Sequence, residues 1–164
     1  MQRVEIRRKD DPRGNFVREG FRSLGIMDIA RVEVRDVYYL APDLAPYALR
    51  RAASELLCDP IVEKYRLGSG SGFEVLYNPG VTDPREASIR KALADIGLRV
   101  KPVRTAANYL IRGRYRPELI RAYAALFLYN PLIQHLKYRD ETVPAPRRYR
   151  RSIRRIDLDG DLNR

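Results

Sequence analysis

The stretch that decides the fold is Asp83-Pro84-Arg85-Glu86-Ala87-Ser88-Ile89-Arg90-Lys91-Ala92-Leu93-Ala94-Asp95-Ile96-Gly97, because its two ends occur earlier in the chain as Asp11-Pro12 and Gly25. Aspartate followed by proline predicts a helix start, since the carboxylate accepts from free backbone N–H groups and proline fits the first helical position. A glycine after the last apolar position predicts the helix end. The offset from Asp11 to Asp83 equals the offset from Gly25 to Gly97, which indicates that one structural unit occurs twice.

A third marker follows in each half. Asp59-Pro60 and Asn130-Pro131 each interrupt a second apolar helical pattern, and the offset between the two prolines is nearly the same as that of the other markers. Asp-Pro and glycine are common at boundaries, so the same order could recur without a common origin. The shared offset favours duplication, and we predict two tandem units of about seventy residues.

Periodicity predicts the order strand, helix, strand, helix, strand in both halves. Strands are predicted at residues 3–7, 31–40, 61–66, 73–77, 100–111 (a strand or a hairpin) and 132–136, and helices at 12–24, about 44–57, 84–96 and from 117 to the Asn130-Pro131 break. The first helix is expected to bury Phe16, Val17, Phe21 and Leu24. The strand residues expected to pack on the helices are Val4, Ile6, Val32, Val34, Phe73 and Val75. The predicted class is α+β, with a mainly antiparallel sheet and two helices on one face of each half, and the halves related by a pseudo-two-fold axis.

These patterns divide the chain into four parts: a first unit at 1–67, a Gly/Ser linker at 68–72, a second unit at 73–140 and a basic Pro/Arg-rich tail or connector at 141–164. The linker lacks the lysine and the following helix that a phosphate-binding loop needs, so a flexible connection is predicted. The tail predicts an extended connector because its arginines repel one another. It would either dock on an acidic surface or on phosphates, or remain a solvated linker.

Composition restricts the classes of function. Thirty-two Lys and Arg against twenty-one Asp and Glu give a net charge of +11. The charges of the body alternate along the predicted strands and helices, which is typical of solvated faces. A single cysteine and a single histidine exclude an internal disulfide framework and a zinc site of thiolates and imidazoles. The sequence has no long apolar run and no signal-peptide pattern, so we expect a cytoplasmic protein that does not enter a membrane.

Catalytic motifs are not visible in the sequence. His135 lies in a predicted strand with no nucleophile beside it, and Cys58 follows two leucines at a helix end, as a small core residue would. Tyr39, Tyr65 and Tyr77 occupy positions that favour packing over base stacking. We therefore expect no catalytic, cofactor-binding or metal-binding residues in this chain.

Several segments, in order, resemble one family. The signature of PurS, the small subunit of bacterial phosphoribosylformylglycinamidine (FGAM) synthase, resembles the segment Tyr77-Asn78-Pro79-Gly80-Val81-Thr82-Asp83-Pro84. The first half resembles only the end of that signature, at Asp11-Pro12-Arg13-Gly14. Leu57-Cys58-Asp59-Pro60-Ile61-Val62-Glu63 and Tyr129-Asn130-Pro131-Leu132-Ile133-Gln134 both resemble the segment that closes a PurS unit. Asn108-Tyr109-Leu110 is similar to the N-terminal region of larger FGAM synthases.

The resemblance implies two ferredoxin-like, PurS-type halves in tandem, equivalent to a covalently linked PurS dimer. It implies a non-catalytic component of a glutamine-dependent C–N ligase in de novo purine biosynthesis. The chain would bring a PurQ-like glutaminase and an ATP-dependent PurL-like synthetase together for ammonia transfer, and would self-associate. ATP, Mg and glutamine would bind only to those partners. The signature residues that are structural or contact partners would be Asp11, Pro12, Gly14, Asp59, Pro60, Gly80, Asp83, Pro84, Tyr109, Asn130 and Pro131.

Two other hypotheses remain open at this point. Two small α+β units with an arginine-rich tail and a net charge of +11 would suit an RNA-binding module. The body lacks the aromatic RNA-binding strand motif and a clustered basic face, so nucleic acid is not the expected partner. A ferredoxin-like regulatory domain that binds a small molecule is the third hypothesis.

Overall fold

The structure is a computed structural model that describes residues 1–68 and 70–137. Within these residues the chain is an α+β protein with one six-stranded antiparallel sheet and four α-helices, which is compatible with the ferredoxin-like class. The elements are β1 (Gln2–Arg8), α1 (Pro12–Ser23), β2 (Ile29–Leu40), α2 (Pro46–Arg51), a π-helical segment (Ala52–Leu57), β3 (Glu63–Leu67), β4 (Phe73–Tyr77), α3 (Glu86–Asp95), β5 (Val103–Gly113), α4 (Pro117–Phe127) and β6 (Gln134–Lys137).

The sheet has the strand order β3-β1-β2-β5-β4-β6. Its longest junction is the antiparallel pair β2·β5, which runs from Leu40↔Val103 to Ile29↔Gly113. Strands β3 and β6 are the two outer strands. Both halves of the chain therefore contribute to one continuous sheet, joined at its centre.

One face of the sheet carries the helices. Val4 pairs with Tyr38, and successive side chains on a strand alternate between faces, so Val4, Val34 and Tyr38 share a face. On this face Val4 belongs to a core cluster with Leu49 and Leu93, and Val34 belongs to a second cluster with Val17, Phe21 and Ile120. The six strand residues expected to pack on helices do so, since all six lie in or against these two clusters.

The opposite face of the sheet, here called the open face, carries no helix among the described residues. A small cluster of Val37, Tyr39, Leu76 and Ala106 lies at its centre. The described linker residues also lie against this face: Ser71 O accepts from Asn108 Nδ2 at 3.0 Å. A side chain on Gly70 would collide with Glu5 and Arg3, so the linker contacts the sheet closely.

Several predicted elements are confirmed. Strand β4 covers 73–77 as expected, α1 begins at Pro12 with Asp11 as its N-cap, and Gly25 has the positive φ of 87° typical of a helix-ending glycine. The segment 100–111, predicted as a strand or hairpin, contains a single strand, β5, that continues to Gly113.

Other elements differ from the prediction. The predicted helix 44–57 is an α-helix only from Pro46 to Arg51 and continues as a π-helix. Asp83 is not an N-cap, because α3 begins at Glu86 with Arg85 as the cap. Phe16, expected in the core, is 71% exposed. Its neighbours Val17 and Phe21 already fill the side of α1 that faces the sheet.

The domain boundaries remain a prediction. Residue 69 of the linker, residues 138–140 of the second unit and the tail at 141–164 lie outside the described residues. Among residues 1–68 and 70–137, no helix combines the length and the apolar character needed to cross a bilayer.

Candidate partner-binding site

Two aspartates of the Asp-Pro markers satisfy backbone groups on the central strands. Asp11 Oδ1 accepts from Gly14 N at 3.2 Å, and its Oδ2 accepts from Val34 N at 2.7 Å. Asp83 Oδ1 accepts from Arg85 N at 2.9 Å, and its Oδ2 accepts from Thr105 N at 2.6 Å. Strand β1 pairs with β2 only as far as Arg35, one residue short of Val34. Strand β4 pairs with β5 only as far as Ala106, one residue short of Thr105. Each carboxylate thus takes the place of the missing strand.

The arginines that follow these markers meet at one carboxylate. Arg13 Nη1 lies 3.0 Å from Asp36 Oδ2, and Arg85 Nη1 lies 3.6 Å from Asp36 Oδ1. The guanidinium of Arg85 also lies 6.0 Å from the centre of the Tyr38 ring. The two Asp-Pro-Arg segments therefore converge on the helix-covered face at the centre of the β2·β5 junction.

The other two markers lie at opposite ends of the sheet. Asp59 Oδ1 accepts from Ile61 N at 2.9 Å, and Asp59 N donates to Glu63 Oε2 at 2.9 Å. Asn130 Oδ1 accepts from Leu132 N at 3.0 Å, and Asn130 N donates to Gln134 Oε1 at 3.2 Å. These turns precede the outer strands, which are roughly 24 Å apart across five strand spacings.

These two turns, here called the edge turns, expose apolar side chains. Ile61 is 79% exposed and Leu132 is 85% exposed, and their neighbours Val62 and Ile133 are exposed as well. The sequence predicts all four in strands, but β3 and β6 begin later, at Glu63 and Gln134. Adjacent exposed apolar residues at equivalent positions are suited to contact with a partner.

The remaining signature residues serve local structure. Gly14 packs so closely that a side chain would collide with the backbone of Val32, and Tyr109 is buried in the second core cluster. Gly80 has a φ of 91°, which favours glycine. The four prolines of the markers are exposed, and these are Pro12, Pro60, Pro84 and Pro131. The signature residues therefore do not form a single site.

A charged network on the open face was missed by sequence reasoning. Glu5, 1% exposed, accepts from Arg3 and, at 2.7 Å, from Arg35 Nη1. Arg3 also pairs with Glu74 of the second half, whose carboxylate accepts from the hydroxyl of Tyr39. Lys137 extends the network, because its Nζ lies 3.4 Å from Glu74 Oε2 and donates to Tyr39 at 3.1 Å. The charges expected on a solvated face are thus partly buried, and they connect the two halves.

The network shifts the acidity of its members. Burial alone would raise the pKa of Glu5, but the hydrogen bonds and charges of Arg3 and Arg35 outweigh it and hold that pKa below the usual value. Burial and the hydrogen bond to Glu74 raise the pKa of Tyr39. Both groups therefore keep their ordinary charge states at neutral pH, Glu5 ionised and Tyr39 neutral. This suits a structural network.

His135 and Cys58 lie in different surroundings. His135 Nδ1 lies 2.9 Å from Asn78 Oδ1. Burial raises the pKa of the Cys58 thiol, so it is not an activated nucleophile, and its place in the first core cluster confirms the expected packing role. Within residues 1–68 and 70–137 no three His, Cys, Asp or Glu side chains are grouped to hold a metal ion. Tyr39 is buried and Tyr77 half-buried, whereas Tyr65 is 40% exposed.

Comparisons of the chain with models of protein families and with curated proteins give no match.

Proposed function

We propose that this chain is a PurS-like, non-catalytic assembly component of FGAM synthase, built from two ferredoxin-like halves that are related by duplication and by a pseudo-two-fold axis. It would hold a PurQ-like glutaminase and a PurL-like synthetase together in the cytoplasm so that ammonia passes between them. The observation that carries the proposal is that the segments resembling PurS occur twice, and that Asp11 and Asp83, like Asp59 and Asn130, make equivalent bonds to the strands or edge turns.

The strand register supports the duplication. When the second unit is laid over the first, Val4 corresponds to Phe73 and Tyr38 to Tyr109, and the pair Val4↔Tyr38 becomes the observed pair Phe73↔Tyr109. By the same correspondence, Val34 corresponds to Thr105. The central pair Tyr38↔Thr105 then becomes Tyr109↔Val34, which is also observed. The central junction is therefore compatible with a two-fold axis, as in an isologous dimer interface.

The marker residues support it as well. Asp11 and Asp83 each accept from an equivalent N–H on the central strands, and Asp59 and Asn130 make the same pair of hydrogen bonds to equivalent residues. The exposed apolar residues of the edge turns recur at equivalent positions of the two units. An assembly component needs such surfaces more than it needs catalytic groups.

The proposal is tested by reconstituting FGAM synthase activity from a PurL-like synthetase and a PurQ-like glutaminase of the same source. With the chain present, we expect glutamine-dependent turnover. Omitting it should abolish that turnover and leave the ammonia-dependent reaction of the synthetase unchanged. If glutamine-dependent turnover is the same without the chain, the proposal fails.

The edge turns provide a sharper variant. Ile61→Ser combined with Leu132→Ser should reduce glutamine-dependent turnover about tenfold or more, because burying an Ile or Leu side chain in an interface contributes roughly 1.5–3 kcal/mol that serine does not supply. The matched control is Phe16→Ser combined with Tyr47→Ser, which replaces apolar residues of similar exposure on the helices. Equal effects of the two pairs would show that the edge turns are not the contact.

RNA binding remains the alternative hypothesis. It predicts binding of single-stranded RNA with a steep linear fall of log affinity against log salt concentration. On the open face the aromatic ring nearest the centre, Tyr39, is buried and bonded to Glu74, so no observation favours this function over assembly.

A further inference from the structure

A groove of about 450 Å³ runs along α3 on the outside of the helix layer. Its apolar lining comes from Ala87 and Ala94 on one side of α3, from Val100 after the helix and from Pro42. Ala87 and Ala94 are two helical turns apart, about 10 Å along the axis. Pro42 is held beside the groove because Ala41 and the 101–102 segment exchange two backbone hydrogen bonds. The groove is therefore formed by fixed backbone and small side chains.

Four cations surround this apolar floor: Arg90, Lys91, Arg99 and Lys101. Arg90 has a distant ion pair, 3.9 Å from Glu86 Oε1. In the part of the chain that the structure describes, the other three have no ion pair. An apolar floor with an unneutralised basic rim fits an acidic segment whose apolar side chains alternate with carboxylates.

The sequence contains such a segment outside the described residues. Ile156-Asp157-Leu158-Asp159-Gly160-Asp161-Leu162 has three carboxylates and three large apolar side chains. We propose that this segment of the same chain docks in the α3 groove, with its apolar side chains on the floor and its carboxylates against the basic rim. The preceding Arg154 and Arg155 would be repelled by the rim, so the docked part begins at Ile156.

The connection is long enough. Residues 138–155 join Lys137, the end of β6, to Ile156, and in extended form they span about 60 Å. A folded body of this size has a radius of gyration of about 14 Å, so the segment reaches any part of its surface. Because it is tethered, docking is intramolecular and needs only modest intrinsic affinity.

Other sites and other occupants fit less well. The basic pocket at Arg7, Lys64 and Arg66 on the open face has a volume of about 90 Å³ and contains the carboxylate of Glu5. RNA would find no aromatic ring among the lining residues of the α3 groove on which to stack a base. The docking proposal rests on the groove alone and does not depend on a role in FGAM synthase.

Zero-length cross-linking with a water-soluble carbodiimide tests the proposal on the full chain. The reagent joins an aspartate carboxyl to a lysine amine in contact with it, and peptide mass spectrometry locates the amide. We expect links from Asp157, Asp159 or Asp161 to Lys91 or Lys101. A mixture of ¹⁴N- and ¹⁵N-labelled chains should give these links within single chains only. As a positive control, glycine ethyl ester added with the reagent should label Asp157, Asp159 and Asp161 in the urea-unfolded chain.

Charge reversal on the rim gives the matched variants. Arg90→Glu with Arg99→Glu keeps both lysines and should lower the yield of these links about fivefold or more, because the rim attracts the carboxylates. Arg8→Glu with Arg50→Glu reverses two exposed cations outside the groove and should change the yield less than about twofold. A far-ultraviolet circular dichroism spectrum equal to that of the parent chain shows that each variant is folded.

Three outcomes overturn the proposal. One is that the positive control labels the three aspartates while neither Lys91 nor Lys101 forms a link to them. Another is a set of links to Lys64 or Lys9 in their place, which would locate the segment on another surface. The last is links only between differently labelled chains, which would assign the groove to a second copy.

Discussion

At the scale of single residues, this fold depends on carboxylates that lie inside charged networks. Glu5 is 1% exposed and bonds to Arg3 and Arg35, and Arg3 connects it to Glu74 in the other half. A buried ion pair is not in itself a large source of stability, because desolvation offsets much of the attraction. Removing one member is costly, since its partners are left buried without an opposite charge.

Glu5→Gln should therefore lower the free energy of unfolding by about 3 kcal/mol at neutral pH. Urea unfolding followed by circular dichroism measures the change. The control is Glu55→Gln, which removes an exposed carboxylate paired with Arg51 and should cost less than about 1 kcal/mol. Equal losses in the two variants would mean that the Glu5 network contributes no more than a surface pair.

The same network gives stability a pH dependence. The pKa of Glu5 is lower in the folded chain than in the unfolded chain, so the ionised carboxylate stabilises the fold above the unfolded pKa. That contribution is lost as the pH falls through the folded pKa, below the ordinary glutamate value of about 4.3. Unfolding titrations should show Glu5→Gln losing less stability than the parent chain as the pH falls below the ordinary glutamate pKa of about 4.3.

At the scale of elements, the contact between α1 and α4 joins the two halves above the sheet. The rings of Phe21 and Phe127 meet edge to face, with centroids 5.0 Å apart. Gly20 allows this approach, because a Cβ atom there would lie 2.6 Å from Phe127 Cε2. The glycine is thus a packing requirement within a helix that would otherwise favour alanine.

Gly20→Ala should destabilise the chain by about 1–2 kcal/mol, since displacing the ring costs more than the gain of about 1 kcal/mol in helix propensity. In a Phe127→Ala background the same change should become neutral or stabilising. A double-mutant cycle from urea unfolding measures the coupling, and Asn15→Ala on exposed α1 surface is the control. Additive effects would mean that Gly20 and Phe127 do not constrain each other.

Elements that are marked by local sequence features, such as a cap, a proline or a run of strand-forming residues, could be predicted from the sequence. Strand β4 is a short run rich in aromatic and apolar residues between Gly72 and Asn78-Pro79, and α1 has an N-cap aspartate, a proline at its first position and a glycine after its end. Asp83 has the same local sequence and an equivalent long-range bond, from Thr105 N where Asp11 accepts from Val34 N. The two differ in the local bond, because Asp11 Oδ1 accepts from Gly14 N three residues ahead and Asp83 Oδ1 accepts from Arg85 N two residues ahead, and α3 begins only at Glu86.

The candidate site was predicted only in part. The markers predicted the turns at Asp59 and Asn130 and the cap at Asp11, because these are local chemistry, but not the bonds from Asp11 and Asp83 to the central strands. The convergence of Arg13 and Arg85 on Asp36, and the network at Glu5, depend on which strands are neighbours and in what register. Two features of the sequence could have indicated these contacts. An arginine follows both Asp-Pro pairs, and the first strand of each half contains a glutamate.

At the scale of the whole molecule, the two halves share their cores. The first core cluster combines Val4 and Leu49 with Leu93 and Val103, and the second combines Phe21 with Ile120. Each half alone would expose one side of both clusters. We therefore expect the described body to unfold as one unit, even though its elements repeat.

Calorimetric and van't Hoff enthalpies of unfolding should agree, and far-ultraviolet and tyrosine near-ultraviolet signals should change together. Two separate transitions, or an enthalpy ratio well above one, would contradict a single cooperative unit. Hydrogen exchange provides the residue-level check: β2 and β5 should have the slowest-exchanging amides, because they form the central junction.

The position of Asp36 at the central junction limits which sequences can form this sheet. It lies opposite Ala107, which corresponds to Asp36 in the duplication proposed above. If β2 paired with a second β2 in this register, Asp36 would face its own copy, and like charges directly opposite are destabilising. A single carboxylate between Arg13 and Arg85 is therefore an asymmetric solution. Two linked strands of different sequence allow this arrangement, whereas an identical pair would bring two carboxylates to the same position.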